Sequence, residues 1–533
     1  MGKEEAQLIG LEASDATGAA SPIESKLDLW LRAYSGRLVA LLAALAAIRI
    51  LILCAAFPLT NTIDERFHLA TIQMYAQGRW PGRELPPVDS ESTRTLLLYW
   101  SPEFGLSPET MNQDGIVGPL YNLSPAAREA ALAEPYYSKK LKQWVRRPNF
   151  EGQSAPLYYL VAAGWYRLGA AAGMRDWVLD YWPRFLNPLA YALLVWLSYE
   201  FVRRVYPERT FLHLAVPALI AVFPQDVFYG MNRDVFSAPL TAAALLAMVA
   251  AVEMKPGHDR YLIVCSFLAG LAFVSSVANS VVYGPLVITL WLWLRHSTEA
   301  PNRKVRVLGA SLFAAGILPL LWMLRNYVVV GDVTGGKAKA HELDWTVKPV
   351  REMLHNPIFS LHGFHYFVIA LTQRFWRGEY VWHGTDMKSA LADRLYLFSS
   401  AILLLVFLID FWQRRKGMSW LERFAGLDAV LLVAGSFLFI VAISIPFDYH
   451  DCAYPSRAIP FTTSGRIISG AILPFVLLYA IGLERVTSVF RKWFPPVAVL
   501  ACIMLFITAS EIRVRRVVFS SPYNFFALAG WRR

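Results

Sequence analysis

One recurrence constrains this chain more than anything else in it: apolar runs about as long as a bilayer is thick follow one another along the sequence. They lie near 38–58, 185–202, 211–229, 235–254, 261–278, 280–294, 307–330, 395–412, 427–446, 467–483 and 495–510. About 20 apolar residues span the hydrocarbon layer as a helix. No water is present there to satisfy N–H and C=O groups, so a spanning run of this kind has to be helical. The expected fold is an all-α polytopic membrane protein with about 11 transmembrane helices. Composition agrees, at 56% hydrophobic and 14% aromatic residues over 533 positions and a mean hydropathy of +0.38.

A formal charge of +11 raises the question of nucleic acid. The Lys and Arg residues form no stripe, however; they gather in short loops between apolar runs, which is the pattern of topology signals. No nucleic-acid partner is expected. Cys54, Cys265 and Cys502 fall inside apolar runs and only Cys452 in a loop, so the sequence offers no disulfide framework. Residues 1–36 read as a polar cytosolic tail, with Lys26, Arg32 and Arg37 ahead of the first run. That run is long for a signal-peptide core and lacks a small-residue cleavage site, so it reads as an uncleaved anchor.

Basic clusters fix the expected topology. They occur at Arg203, Arg204 and Arg209; at Lys255 and Arg260; at Arg295, Arg303, Lys304 and Arg306; at Arg414, Arg415, Lys416 and Arg423; and at Arg485, Arg491 and Lys492. All five share the N-terminal side only if a twelfth apolar candidate, 155–173, does not cross. Arg167 and several aromatics in that segment suit a helix in the interface or re-entering from the far side. The domain 37–533 then has external loops at about 59–184, 230–234, 331–394 and 447–466. There is no long cytosolic loop and no Walker-type phosphate motif, so ATP is not an expected energy source.

The unusual polar residues fall in those external loops. "TIDERFHLATIQMYAQGRW", 62–80, reads as an amphipathic surface helix with Ile63, Phe67, Ala70 and Met74 on one stripe and Asp64, His68, Thr71 and Tyr75 beside it. The acids have a plain structural reading: Thr62 with Glu65 fits a capping box, and Asp64 in the first turn favours the helix dipole. His68 and Asp64 are spaced as a metal-ligand pair, although a lone pair of this kind is more often structural.

The same stretch resembles the acidic-pair motif of the GT-C glycosyltransferases, the superfamily of protein O-mannosyltransferases and aminoarabinose transferases. "QSAPLYYLVAAGWYRLG" (153–169) is similar to the family's Pro-Pro-Leu-Tyr-Tyr landmark, with Ala155 in place of the first proline. "PRFLNPLAYALLVWLSYEFVRRVY" (183–206), "NRDVFSAPLTAAALLA" (from 232) and "TSGRIISGAILPFVLLYAIG" (463–482) resemble further landmarks, in family order. The resemblance implies transfer of a sugar from a polyprenyl-phosphate donor on the external face, with inversion. Asp64 would be the base that takes the acceptor proton. Glu65 would orient the acceptor or hold the helix N-terminus. Asp234, with Asn232, would form a second polar wall or cap the following helix. Arg466, Arg325 and Arg184 are the candidates for the donor phosphate, Arg466 first because it matches the family position; their ordinary use is snorkelling at the interface. His362, His365 and His383 lie in the loop 361–384 with Phe364, Phe375, Trp376, Tyr380 and Trp382. These aromatics either stack on sugars or prenyl chains or anchor the interface. Substrate contacts are expected at His68, Asn232, His365 and Trp376.

No cofactor is expected, and a divalent metal is left open. The partners implied are a polyprenyl-phosphate sugar, membrane lipid and a lipid, glycan or protein acceptor. The region 80–149 is longer and more polar than a minimal family member, and no soluble C-terminal domain is evident, so subfamily and acceptor stay open. A polysaccharide polymerase or ligase remains an alternative, as does a secondary transporter or flippase. The latter place charged features near the midplane in paired halves, whereas here the acids gather at one face. The expected location is a bacterial inner membrane, since no retention signal occurs and the long external loops hold one clear glycosylation acceptor pattern, at Asn122.

Overall fold

The computed structural model describes residues 22–61, 64–83, 90–116, 118–253, 255, 257–452, 454–490 and 495–531. Among these, nine helices are long and apolar enough to cross a membrane: Ala33–Ala56, Asp176–Val205, Arg233–Val252, Val277–His296, Pro301–Val330, Ala390–Arg414, Trp420–Ser444, Gly465–Val489 and Pro496–Leu528. Two of the expected runs fold into shorter helices, Thr210–Ala221 and Asp259–Ser275. The first carries Pro217 internally and meets Pro224 just beyond its end, and both prolines disfavour continuation. The protein is an all-α integral membrane protein, and among the described residues the strands are two pairs of two residues each. In one pair Thr346–Val347 lies antiparallel to Phe447–Asp448; in the other Val381–Trp382 pairs with Thr385–Asp386.

The ambiguous segment forms the helix Leu157–Ala171, 15 residues long, short of the roughly 20 that a span needs. It lies along Glu65–Ala76, and its Trp165 ring stacks on Trp182 at 4.7 Å.

Burial separates central helices from peripheral ones. The apolar windows of Arg233–Val252 and Gly465–Val489 are 78% and 83% buried, against 28% for Pro301–Val330 and for Ala390–Arg414. Asp234 and Arg466 are the second residues of the two central helices, so polar groups at their N-terminal ends are held by the best-packed part of the molecule. The packing is close: a Cβ at Gly482 would lie 2.2 Å from the Leu403 carbonyl oxygen of the neighbouring helix. Glycine is required at that crossing.

Ion pairs link the basic clusters into one network. Arg204 pairs with Glu253, which also holds Lys255; Arg303 pairs with Asp259; Arg209 pairs with Glu484; Arg485 and Arg414 share Asp410. Arg491 and Lys492 lie outside the described residues. Ser35, at the start of the first span, bonds Tyr199 at 3.0 Å, so the chain enters the first span at this same end. Asp234 and Arg466 sit at the opposite ends of their helices.

A labelling experiment tests the sidedness drawn from this separation. Single cysteines placed in the 331–394 loop of a cysteine-free variant should react with an impermeant reagent from outside. Cysteines at 414–416 should react only after the membrane is opened. The reverse pattern would invert the orientation.

Candidate active site

The helix Glu65–Ala76 begins after Asp64, whose backbone is left-handed (φ 57, ψ 15) and whose side chain makes no capping hydrogen bond. A non-glycine residue tolerates this region best when it is Asp or Asn. Thr62 and Ile63 lie outside the described residues, and with them the expected capping box. The two adjacent acids have opposite fates. Asp64 is one-third exposed and lines an open cleft of about 1000 Å³. Glu65 points away into the protein and is fully buried.

Glu65 is consumed by structural bonds. Arg184 Nε donates to its Oε1 at 2.6 Å, Met231 N donates to the same oxygen at 2.8 Å, and Asn61 donates to Oε2 from both backbone and side chain. Arg184 is equally spent, since its terminal nitrogens reach the carbonyls of Cys54, Phe57 and Pro58 at the end of the first span. Arg184 is thereby taken from the phosphate role expected of it, and of the two roles expected of Glu65 the bonds fit holding the helix N-terminus rather than orienting an acceptor. Neither Glu65 nor Arg184 reaches the cleft; they form a buried ion pair that pins the helix Glu65–Ala76 to the first span, and that helix, expected to lie on the membrane surface, buries His68, Thr71 and Tyr75 with its apolar residues. Arg325 is not brought to the cleft either: it bonds the Pro81 carbonyl and Asn326 Oδ1.

Arg466 does line the cleft. Its Nε donates to Glu379 at 2.8 Å and its Nη1 to Asp234 at 3.4 Å. Asp234 is buried, and Asn232 is the cap: its side chain accepts from Asp234 N at 2.8 Å. The cap role expected of Asp234 therefore belongs to Asn232, and Asp234 is free to hold Arg466.

His68 is buried, and its Nδ1 lies 2.8 Å from the Tyr159 hydroxyl. Burial pushes its pKa down to about 4, so the imidazole is neutral. Among the described residues no group of three or more His, Cys, Asp or Glu side chains is placed to hold a metal ion. His365 lies on the exposed face of the helix Leu361–Arg377. Trp376 is packed in the core between Tyr396 and Phe223, at 4.7 and 4.6 Å. Both are corrections to the expected substrate contacts: an aromatic or His near an interface carries no local mark of which way the helix turns it. His383 ties its loop to the Leu106 carbonyl.

Several residues at the cleft were not foreseen. Glu379 holds Arg466; Arg233, Lys339 and Arg374 bring further positive charge to the lining; Glu151 stands directly behind them. Arg233 and Glu379 lie inside stretches already notable in the sequence, "NRD" and "RGEY". Lys339, in "GGKAKAHE", has no local signal.

The cleft thus holds the partly exposed carboxylate of Asp64 and a group of cations that includes Arg466 in one lining, together with further acids at Glu342, Asp344, Glu379, Asp386 and Asp451. Such a pairing can accept a proton on one side of a reacting carbon and stabilise an anion on the other.

Residues 156–322 match the sequence model of the dolichyl-phosphate-mannose-protein mannosyltransferase family. The chain resembles the GT-C glycosyltransferases. The matched segment of this GT-C-like chain contains Asn232 and Asp234 but neither Asp64 nor Arg466, which stand outside it on either side. No curated protein matches the chain. Among solved structures it is similar to ArnT from Cupriavidus metallidurans bound to undecaprenyl phosphate, at 14% identity and a TM-score of 0.40, covering 91% of this chain and 74% of that one. It is also similar to the oligosaccharyltransferase AglB from Archaeoglobus fulgidus in complex with an inhibitory peptide and a dolichol-phosphate (12% identity, TM-score 0.44, 92% of this chain and 56% of that one). A third is the Archaeoglobus fulgidus oligosaccharyltransferase in complex with Zn and sulfate (12% identity, TM-score 0.37, 69% and 45%). The GT-C-like chain spans about half the length of these archaeal proteins.

Proposed function

We propose that this protein transfers a glycosyl group from a polyprenyl-phosphate sugar to an acceptor in the cleft, on the external face of a bacterial inner membrane and with inversion at the sugar carbon. The observation that carries the reading is the placement of Asp64 and Arg466 on one cleft at the end of the molecule opposite the basic clusters. A membrane-embedded donor presents its phosphate at the membrane surface while the prenyl chain stays in lipid. Asp64 removes the proton from the acceptor hydroxyl as that oxygen attacks. Arg466 takes up the charge that grows on the departing phosphate, and its planar fork suits two phosphate oxygens at once. Glu379 and Asp234 hold the fork in place and neutralise it while the site is empty.

Two tests apply. Arg466→Lys keeps the charge and loses the fork, so turnover should drop while the protein still folds. Arg466→Ala with intact donor binding and turnover would move the phosphate site elsewhere. A polyprenyl phosphate with a photoreactive group beside its phosphate should label peptides containing Asp64, Lys339 or Arg466. Labelling confined to the lipid-facing helix Pro301–Val330 would contradict the assignment.

A further inference from the structure

Asp64, one-third exposed where it lines the cleft, is not alone with a cation. The Lys339 ammonium stands between two carboxylates, 3.0 Å from Glu151 and 3.9 Å from Asp64, and rests over the Phe150 ring at 4.6 Å. Glu151 is held from several directions. Arg233 reaches it at 3.2 Å, Ser154 Oγ donates at 2.7 Å, and the Tyr159 hydroxyl donates at 3.1 Å while meeting His68 on its other side. The turn that carries Glu151, Phe150–Gln153, is fastened to the Asp64 helix: Asn149 Nδ2 donates to the Phe67 carbonyl and to Thr71 Oγ1. Burial alone would raise the Glu151 carboxyl, but Arg233 and Lys339 hold it well below the usual carboxylate range, so it stays ionised.

We infer that Glu151 is a positioning residue for Asp64, acting through Lys339. This rests on the proposed role of Asp64 as base. An ammonium beside a lone carboxylate neutralises it and weakens it as a base. When the same ammonium is shared with a second, permanently ionised carboxylate, Asp64 is left with less than the whole of the ammonium's charge, and Asp64, Glu151, Lys339 and Arg233 together set two negative charges against two positive ones. Glu151 also fixes where the ammonium sits, so Lys339 orients Asp64 without quenching it. The other charged and titratable groups that face Asp64 are Arg66 and His68 on its own helix and Arg466 from the central helix. None of these bonds Glu151 directly; His68 meets it through Tyr159 but is neutral and carries no charge to Asp64, so removing Glu151 acts on Asp64 chiefly through Lys339, with Arg233 the second cation released.

The experiment is the pH dependence of kcat/KM for Glu151→Gln, Lys339→Met and the double variant, each shown to be folded. Gln keeps the shape and much of the hydrogen bonding of Glu151. Freed cations favour the ionised form of the base, so the acid limb of the Glu151→Gln profile should move about one unit to lower pH, with a fall in kcat. Lys339→Met should move the limb the other way. In the Lys339→Met background the Glu151 substitution should lose most of its effect, because its route to Asp64 is gone. An acid limb that does not move in Glu151→Gln, or that moves equally with and without Lys339, overturns the inference. Near-normal activity of Asp64→Asn would instead overturn the role of Asp64 itself, so the two failures are distinguishable.

Discussion

Asp64→Asn should lower glycosyl transfer by roughly 10²- to 10⁴-fold, the range expected when a positioned general base is removed, with little change in donor affinity. The structure sharpens this expectation because the substitution has so little else to disturb. Asp64 makes no capping hydrogen bond, Asn occupies the left-handed backbone region as readily as Asp, and the ion pair lost among the described residues, to Lys339 at 3.9 Å, is partly exposed. Stability should therefore stay within about 0.5 kcal/mol of wild type. Donor binding by calorimetry or a filter assay, run beside single-turnover transfer, separates the effects. Near-normal turnover by the folded variant would leave Asp64 as an ordinary residue at the start of a helix.

The opposite pattern is expected at the neighbouring pair. Arg184→Ala leaves the Glu65 carboxylate buried without its partner, and breaking one side of such a pair costs about 3–5 kcal/mol. Three carbonyls at the end of the first span lose their donor as well. The yield of monodisperse protein in detergent and its thermal midpoint should fall sharply, before any activity is assayed. Replacing both charges together, Glu65→Gln with Arg184→Met, should recover much of the loss, since no unpaired charge then remains. If Arg184→Ala were as stable as wild type yet failed to bind donor, Arg184 would return to the phosphate site from which the structure removes it.

These two predictions mark where sequence reading succeeds and where it stops. Apolar runs are long local signals, and in lipid they have one fold available, so the spans and the common end of the basic loops were legible. The exceptions have local physical causes, such as Pro217 and Pro224 cutting short the helix formed by the run near 211–229. Asp64 stood out through the resemblance of its stretch to an acidic-pair motif, since the local sequence alone fits a helix cap equally well. Its separation from Glu65 was not legible. Adjacent residues on a helix point in different directions, and which of two acids faces outward depends on Arg184, more than a hundred positions away. Arg184 and Arg466 look alike in sequence, each an arginine at the head of an apolar helix. One meets a buried carboxylate and three carbonyls; the other meets an open cleft. Lys339, Glu151 and Glu379 reach the cleft only through tertiary folding, and Trp376 and His365 leave it for the same reason.

The most direct measurement is the release of polyprenyl phosphate by purified protein in lipid nanodiscs, followed by chromatography. A panel of polyprenyl-phosphate hexoses and pentoses is compared with the corresponding nucleotide sugars, with a membrane extract as the source of acceptor. The account predicts that wild type releases polyprenyl phosphate from at least one lipid-linked donor and uses no nucleotide sugar, and that Asp64→Asn loses this activity. Sugar transfer from a nucleotide donor, or equal release by wild type and Asp64→Asn, would contradict it.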